Sequence, residues 1–204
     1  MPVEAALPPI TAVILAGGRA RRMHGADKAL LPLAGRPLLA HVIDALRPQV
    51  ATILLNSNHP AAEYASFGLP VIADTLPEQP GPLAGLLAAL QVSTSELVLC
   101  VPCDTPCLPA ELVQRMHAAL TQAAANVCTV SDGARLHAAI MLAHRRVLPA
   151  LEGYLVSGGR KVQDWLHGQK LAIADFSDQT TAFSNINTAQ DLHALEQRLS
   201  AHEC

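Results

Sequence analysis

Ile10-Thr11-Ala12-Val13-Ile14-Leu15-Ala16-Gly17-Gly18 is a short apolar run, rich in β-branched residues, that stops on two glycines. Such a run reads as a buried strand followed by a tight turn. Pro37 then opens PLLAHVIDALRP, in which Leu38, Val42, Ala45 and Leu46 share one helical face. ATILLN (51–56) is the next buried strand, and LPVIAD (69–74) follows a short polar segment. GPLAGLLAALQ (81–91) reads as a helix with Pro82 in its first turn, where a missing N–H costs nothing. ELVLCVPCD (96–104) is another strand, and Pro109 starts a helix reaching about Ala124. Apolar strands alternating with helices imply βαβ units: an α/β fold with three layers, a mostly parallel Rossmann-like sheet and helices on both faces.

The second half changes character. ANVCTVSD, LHAAIMLAH and KLAIADF read as further strands of the same sheet, at least one of them antiparallel. Helical stretches lie around Arg145–Leu155 and Lys161–Leu166. A last helix starts at Thr188, with Asp191 three residues on in the place of a capping-box acid. Leu192, Leu195 and Leu199 give that helix its apolar stripe. No repeat, low-complexity stretch or linker divides the chain. The expectation is one domain over residues 10–204 behind a flexible extension, residues 1–9.

Composition narrows the function. The chain has 204 residues, 50% hydrophobic and 15% charged, which excludes disorder. A net charge of −3 gives no overall attraction to nucleic acid or anionic membrane. Aromatics at 3% are too few for a platform that stacks single-stranded bases. No apolar run approaches the ~18–20 residues of a membrane span. MPVEAALPP lacks the positive start of a signal peptide. A cytoplasmic protein without nucleic-acid or membrane partners is expected.

The five cysteines, Cys100, Cys103, Cys107, Cys128 and Cys204, are odd in number and three are crowded, a poor disulfide framework. A zinc site would need a fourth ligand that no second Cys pair supplies. Cys100 and Cys103 would also point to opposite faces of a strand. The nine histidines show no i, i+4 pair of a zinc helix.

Ligands of open α/β sheets bind at the strands' carboxyl ends. The first such end is LAGGRARRMHGADK, Leu15–Lys28. Two glycines followed by three arginines and a lysine suit a phosphate cradle, since glycine lets backbone N–H groups approach an anion. A plain turn bearing solvated charges is the bland alternative. The stretch is neither a P-loop, because no glycine precedes Lys28 and Ala29 follows it, nor the dinucleotide fingerprint G-x-G-x-x-G.

The full loop, L-A-G-G-x-x-x-R-M with Asp27-Lys28 five residues after Arg22, resembles the signature loop of the nucleotidyltransferases. Three more segments sharpen the likeness. Gly81-Pro82-Leu83-Ala84-Gly85, Pro102-Cys103-Asp104-Thr105-Pro106 and Phe183-Ser184-Asn185-Ile186-Asn187-Thr188 resemble motifs of the molybdenum cofactor guanylyltransferases. The four motifs stand in the family's order across roughly Ile10–Leu199. His24 departs from the pattern, standing where members usually carry Gly.

The resemblance implies Mg²⁺-dependent transfer of GMP from GTP to the terminal phosphate of molybdopterin, with release of pyrophosphate. An ionised phosphate needs no general base, so alignment and charge neutralisation would carry the chemistry. By resemblance, the N-terminal half binds nucleotide and the C-terminal half binds pterin. Leu15, Ala16, Gly17 and Gly18 would bring backbone to the nucleotide, and Arg22 and Lys28 would face its phosphates. Asn56 and Asp74 would hold the nucleoside, Asp104 the Mg²⁺, and Asn185 and Asn187 the pterin. Taken without the motifs, Asn56 and Asp74 are strand terminators and Asn185 and Asn187 loop and cap residues; Asp104 before Thr-Pro has a turn reading too, but a carboxylate at a central strand's carboxyl end favours an ion.

Rival readings are a molybdopterin cytidylyltransferase using CTP and a molybdopterin-binding or delivery protein without catalysis. The first is disfavoured by Leu15–Gly18 and Pro102–Asp104, the second by Lys28 and Asp104. The expected partners beyond the two substrates are transient: molybdenum-insertion proteins and molybdoenzyme-specific chaperones. The expected state is a monomer or weak oligomer.

Overall fold

The computed structural model describes residues 7–16, 27–76 and 81–200. Most of the expected extension over 1–9 therefore lies outside the described residues. The strands are β1 (Ile10–Leu15), β2 (Pro32–Leu33), β3 (Arg36–Pro37), β4 (Thr52–Asn56), β5 (Val71–Ile72), β6 (Leu97–Pro102), β7 (Val127–Ser131), β8 (Leu136–His144) and β9 (Leu171–Asp175). The α-helices are α1 (Leu38–Leu46), α2 (Pro82–Val92), α3 (Leu112–Gln122), α4 (Leu148–Val156), α5 (Val162–His167) and α6 (Ala189–Ser200).

Among the described residues, seven strands form one sheet in the order β5-β4-β1-β6-β8-β7-β9. β5, β4, β1 and β6 pair in parallel, as do β7 and β9; β8 runs antiparallel to both of its neighbours, β6 and β7. The mostly parallel sheet, with one reversed strand in its second half, matches the sequence expectation.

Alternation along the strands assigns the two faces. Ile10, Ala12 and Ile14 of β1 join Leu39, Val42, Ile43 and Leu46 of α1 and Leu112, Val113, Met116 and Leu120 of α3 in one apolar layer. Val13, between them, faces the opposite layer of α2, α4 and α5. α2 is buried from Leu83 to Leu90 because it is covered by the sheet on one side and α4 on the other, hence its apolar character all round. Leu195 of α6 joins Leu33, Leu38 and Ile186 in a third, smaller apolar cluster.

Several boundaries differ from the expectation. β5 has only two residues, since Pro70 before it and the polar turn after it limit pairing. α3 starts at Leu112, three residues after Pro109, and Pro109–Glu111 form the turn into it. The β2–β3 hairpin was not expected. Its two turn residues, Ala34 (φ 49°) and Gly35 (φ 76°), are both left-handed, the turn whose twist suits two antiparallel strands.

The start of α6 is as expected. Thr188 Oγ1 accepts the Asp191 N–H at 3.1 Å, and Asp191 Oδ2 accepts the N–H groups of Thr188 (2.8 Å) and Asn187 (2.9 Å). Those donors hold the Asp191 carboxyl below the usual carboxylate range.

Cys100 sits in one apolar layer and Cys103 in the other, so these two cannot share an ion. Burial pushes the thiols of both, and of Cys128, upward. Cys107, by contrast, is disulfide-bonded, although the odd number and the crowding of the cysteines read as a poor disulfide framework. Among the described residues, no helix is long and apolar enough to cross a membrane.

Candidate active site

β1 ends between β4 and β6, with Leu15 level with Asn56 on one side and Pro102 on the other. The carboxyl ends of β4 and β6 therefore lie two strand spacings apart, ~10 Å. Each end carries its own polar cluster.

At the β4 end, Asn56 Nδ2 donates to Asp74 Oδ1 at 2.9 Å and approaches the Ile72 carbonyl at 3.4 Å. Asn58 Nδ2 donates to Asp74 Oδ2 at 2.8 Å, and Asn58 Oδ1 accepts the Asp74 N–H at 3.0 Å. Asp74 is thus clamped by two amides, and Asn56 is buried. α2 presses against this cluster at Gly85. A Cβ there would fall 2.3 Å from Leu15 Cδ2 and 2.5 Å from Asn56 Oδ1. Glycine at 85 is what lets the helix approach the strand ends.

At the β6 end, Lys28 Nζ donates to Asp104 Oδ2 and, at 2.8 Å, to Asn187 Oδ1. Both partners of the ion pair are largely covered, with side chains 12% and 13% exposed. Asp104 Oδ1 is buried and has no hydrogen-bond partner among the described residues. A buried carboxylate oxygen without a donor is costly unless something binds it.

Three supports hold this cluster. Asp27 caps the turn that carries Lys28, accepting the Ala29 N–H at 3.0 Å on Oδ1. Its other oxygen accepts the Tyr64 hydroxyl, which in turn accepts from Ser57 Oγ at 3.1 Å. Burial, followed by the hydrogen bond to Asp27, raises the Tyr64 pKa and keeps the phenol protonated. The Ile186 N–H donates to the Asp104 carbonyl at 3.0 Å, which brings Asn185–Asn187 beside the end of β6. Phe183 anchors that segment, buried edge-on against Phe176 with centroids 5.2 Å apart.

Beyond Asp104 lies a cavity of about 200 Å³ whose lining includes Pro102, Thr105, His137 and Asn185. Thr105 Oγ1 is 3.5 Å from Asn185 Oδ1. His137 Nε2 is 2.8 Å from Asp132 Oδ2, with side chains 7% and 9% exposed. The His137 contact and the N–H groups of Arg135 and Ala134 lower the Asp132 pKa to about 2.

Of the residues singled out in the sequence, Lys28, Asp104 and Asn187 meet directly, as do Asn56 and Asp74, with Leu15 and Ala16 between the two clusters. The Ala16 N–H donates to the Asn56 carbonyl at 2.8 Å. Asn185 lies at the cavity rather than in the Lys28 cluster. Gly17, Gly18, Arg22 and His24 lie outside the described residues. Sequence reasoning passed over Asn58, Asp27, Tyr64, Asp132 and His137. Of these only Asp27 had a visible signal, its place directly before Lys28.

A family model described as "MobA-like NTP transferase domain" matches residues 12–173. A molybdenum cofactor guanylyltransferase of Shewanella loihica is 42% identical, the match covering 95% of this chain and 98% of that protein. One of Shewanella putrefaciens is 44% identical over 89% and 93%. The crystal structure of molybdopterin-guanine dinucleotide biosynthesis protein A from Archaeoglobus fulgidus has the same fold. It superposes with a TM-score of 0.80 at 22% identity, covering 94% of this chain and 99% of that one.

Proposed function

The chain belongs to the MobA-like NTP transferases and, among them, to the molybdenum cofactor guanylyltransferases, and from that premise we propose that it moves GMP from GTP onto the terminal phosphate of molybdopterin. The enzyme is a nucleotidyltransferase. The acceptor's phosphate oxygen forms a bond to the α-phosphorus of GTP, and the bond from that phosphorus to the bridging oxygen breaks, releasing pyrophosphate.

The observation that carries this reading is the Lys28–Asp104–Asn187 cluster at the end of β6, one strand removed from the Asn56–Asp74 clamp. A nucleoside held by the clamp spans ~10 Å to put its phosphates at Lys28. Lys28 then trades a carboxylate partner for phosphate oxygens, and the backbone of Leu15 and Ala16 lies along the path between. Asn187 and Asp27 keep the lysine turn in place, so the cation is positioned before charge develops.

Asp104 Oδ1, buried and without a partner among the described residues, is a suitable oxygen for a hard cation, and one carboxylate plus substrate phosphates is a common Mg²⁺ donor set. Asp104 would hold the ion, which when bound neutralises charge on the α-phosphate and the leaving group. Asn185, at the cavity, would contact the pterin. Asn187 touches Lys28, so its part is to join the nucleotide and acceptor sides rather than to bind pterin alone.

The test is pyrophosphate release by purified protein with Mg²⁺ and metal-free molybdopterin, comparing GTP, CTP and ATP. Turnover with GTP alone is expected, and Asp104→Ala should nearly abolish it. Turnover with CTP instead would keep the mechanism and overturn the base. Pterin binding with no turnover would favour a delivery protein.

A further inference from the structure

We propose that His137, held by Asp132, is a binding residue for the planar heterocycle of the acceptor, which enters the cavity beyond Asp104. The proposal rests on the reading of the acceptor as a pterin.

The cavity has the right composition and size. Pro102, Ala139 and Ile140 supply apolar walls, while Thr105, His137 and Asn185 supply hydrogen-bonding groups. About 200 Å³ is below the ~300–1,000 Å³ typical of whole-ligand sites, so it takes a ring system and not a dinucleotide. Its position suits an acceptor whose phosphate must reach Asp104. Pro102 precedes Asp104 by two residues, and Asn185 precedes Asn187 by two.

His137 is fixed in one orientation. Its Nε2 faces Asp132 Oδ2, so the proton sits on that nitrogen, donated to a carboxylate whose low pKa keeps it an acceptor. Asp132 is itself held by its other oxygen, which accepts the N–H groups of Ala134 (2.9 Å) and Arg135 (2.8 Å). Phe183 packs against the imidazole with centroids 5.1 Å apart. Nδ1 is left with no partner among the described residues, on a residue that lines the cavity. Orienting an imidazole through one nitrogen so that the other meets a ligand is a recurrent use of a carboxylate–histidine pair. The bland reading is a staple across the turn joining β7 to β8, which would matter for stability alone.

The two readings separate in binding measured without turnover. Dissociation constants for metal-free molybdopterin, by its fluorescence under anaerobic conditions, and for GTP are measured on wild type, His137→Ala, Asp132→Asn and the double variant. Unfolding midpoints are taken alongside. His137→Gln, which keeps a donor for Asp132 and loses the ring nitrogen, stands in should the alanine variant fail to fold. Loss of a buried hydrogen bond to the ligand predicts weaker pterin binding by about tenfold for His137→Ala, with GTP affinity within about twofold. Asp132→Asn should weaken pterin binding in wild type and add nothing in the His137→Ala background, because it acts through His137. Unchanged pterin affinity in a folded His137 variant overturns the proposal, as does an Asp132→Asn effect equal in both backgrounds. If wild type binds GTP and not molybdopterin, it is the reading of the acceptor that has failed, and the proposal falls with it.

Discussion

Replacing Gly85 by alanine should damage an enzyme that helix propensity alone says it should improve. In a helix interior the change is worth about 1 kcal/mol in favour of alanine. Against that, the new Cβ would stand 2.3 Å from Leu15 Cδ2, 2.5 Å from Asn56 Oδ1 and 3.0 Å from Asn56 Cγ. Leu15 can swing its methyl aside. Asn56 is buried and bonded to Asp74 at 2.9 Å, so it yields only by breaking that clamp. Overpacking costs about 1–3 kcal/mol, and leaving buried polar groups unpaired costs about 1–3 kcal/mol more. The central expectation is a net loss of about 3 kcal/mol, or roughly 6–12 °C in Tm for a chain of this size. GTP affinity should fall as well. Gly153 is the matched control: it lies within α4, and a Cβ there meets nothing within 4 Å. Gly153→Ala should raise the Tm by roughly 2–4 °C at unchanged GTP affinity. Thermal unfolding and GTP titration of the two variants decide the matter. A Gly85→Ala protein as stable as wild type, binding GTP as tightly, would refute the claim that this glycine sets the approach of α2 to the strand ends.

Three further outcomes are expected. Lys28→Met should abolish turnover and also destabilise by about 3 kcal/mol, since it strands a largely buried carboxylate; adding Asp104→Asn should recover part of the stability and none of the activity, read by urea unfolding and pyrophosphate release. Asp132 has a folded pKa of about 2, below the ~3.9 of a free aspartate, so the stability it supplies is complete above roughly pH 5 and is lost as the pH falls toward 2; Asp132→Asn should flatten that acid limb by at most about 2 kcal/mol, measured by denaturant unfolding against pH. Cys100, Cys103 and Cys128 are buried thiols, that of Cys128 pushed up to about 12, so a thiol reagent at pH 8 should label them only after unfolding; fast labelling of any of these three in the native protein, located by peptide mapping, would contradict their burial.

Much of this protein is legible in its sequence because the controlling physics is local. The β-branched runs of β1, β4 and β6, the apolar stripe of α1 and the Thr188–Asp191 cap each depend on side chains a few residues apart. Their period and end chemistry therefore fix the element and the face it buries. The same locality puts Leu15, Asn56 and Asp104 at or just beyond the ends of strands, where the parallel sheet opens. What period cannot specify is which element lies beside which. The placement of reversed β8 between β6 and β7, and the pressing of Gly85 onto Asn56, follow from packing whole faces against one another. The Lys28–Asp104–Asn187 contact joins residues 76 and 159 positions apart, and no local preference of any of the three encodes it. Residue types and motif order supplied the candidates. Only the assembled sheet, with α6 and the Phe183 anchor carrying Asn187 back to the end of β6, decided which of them touch.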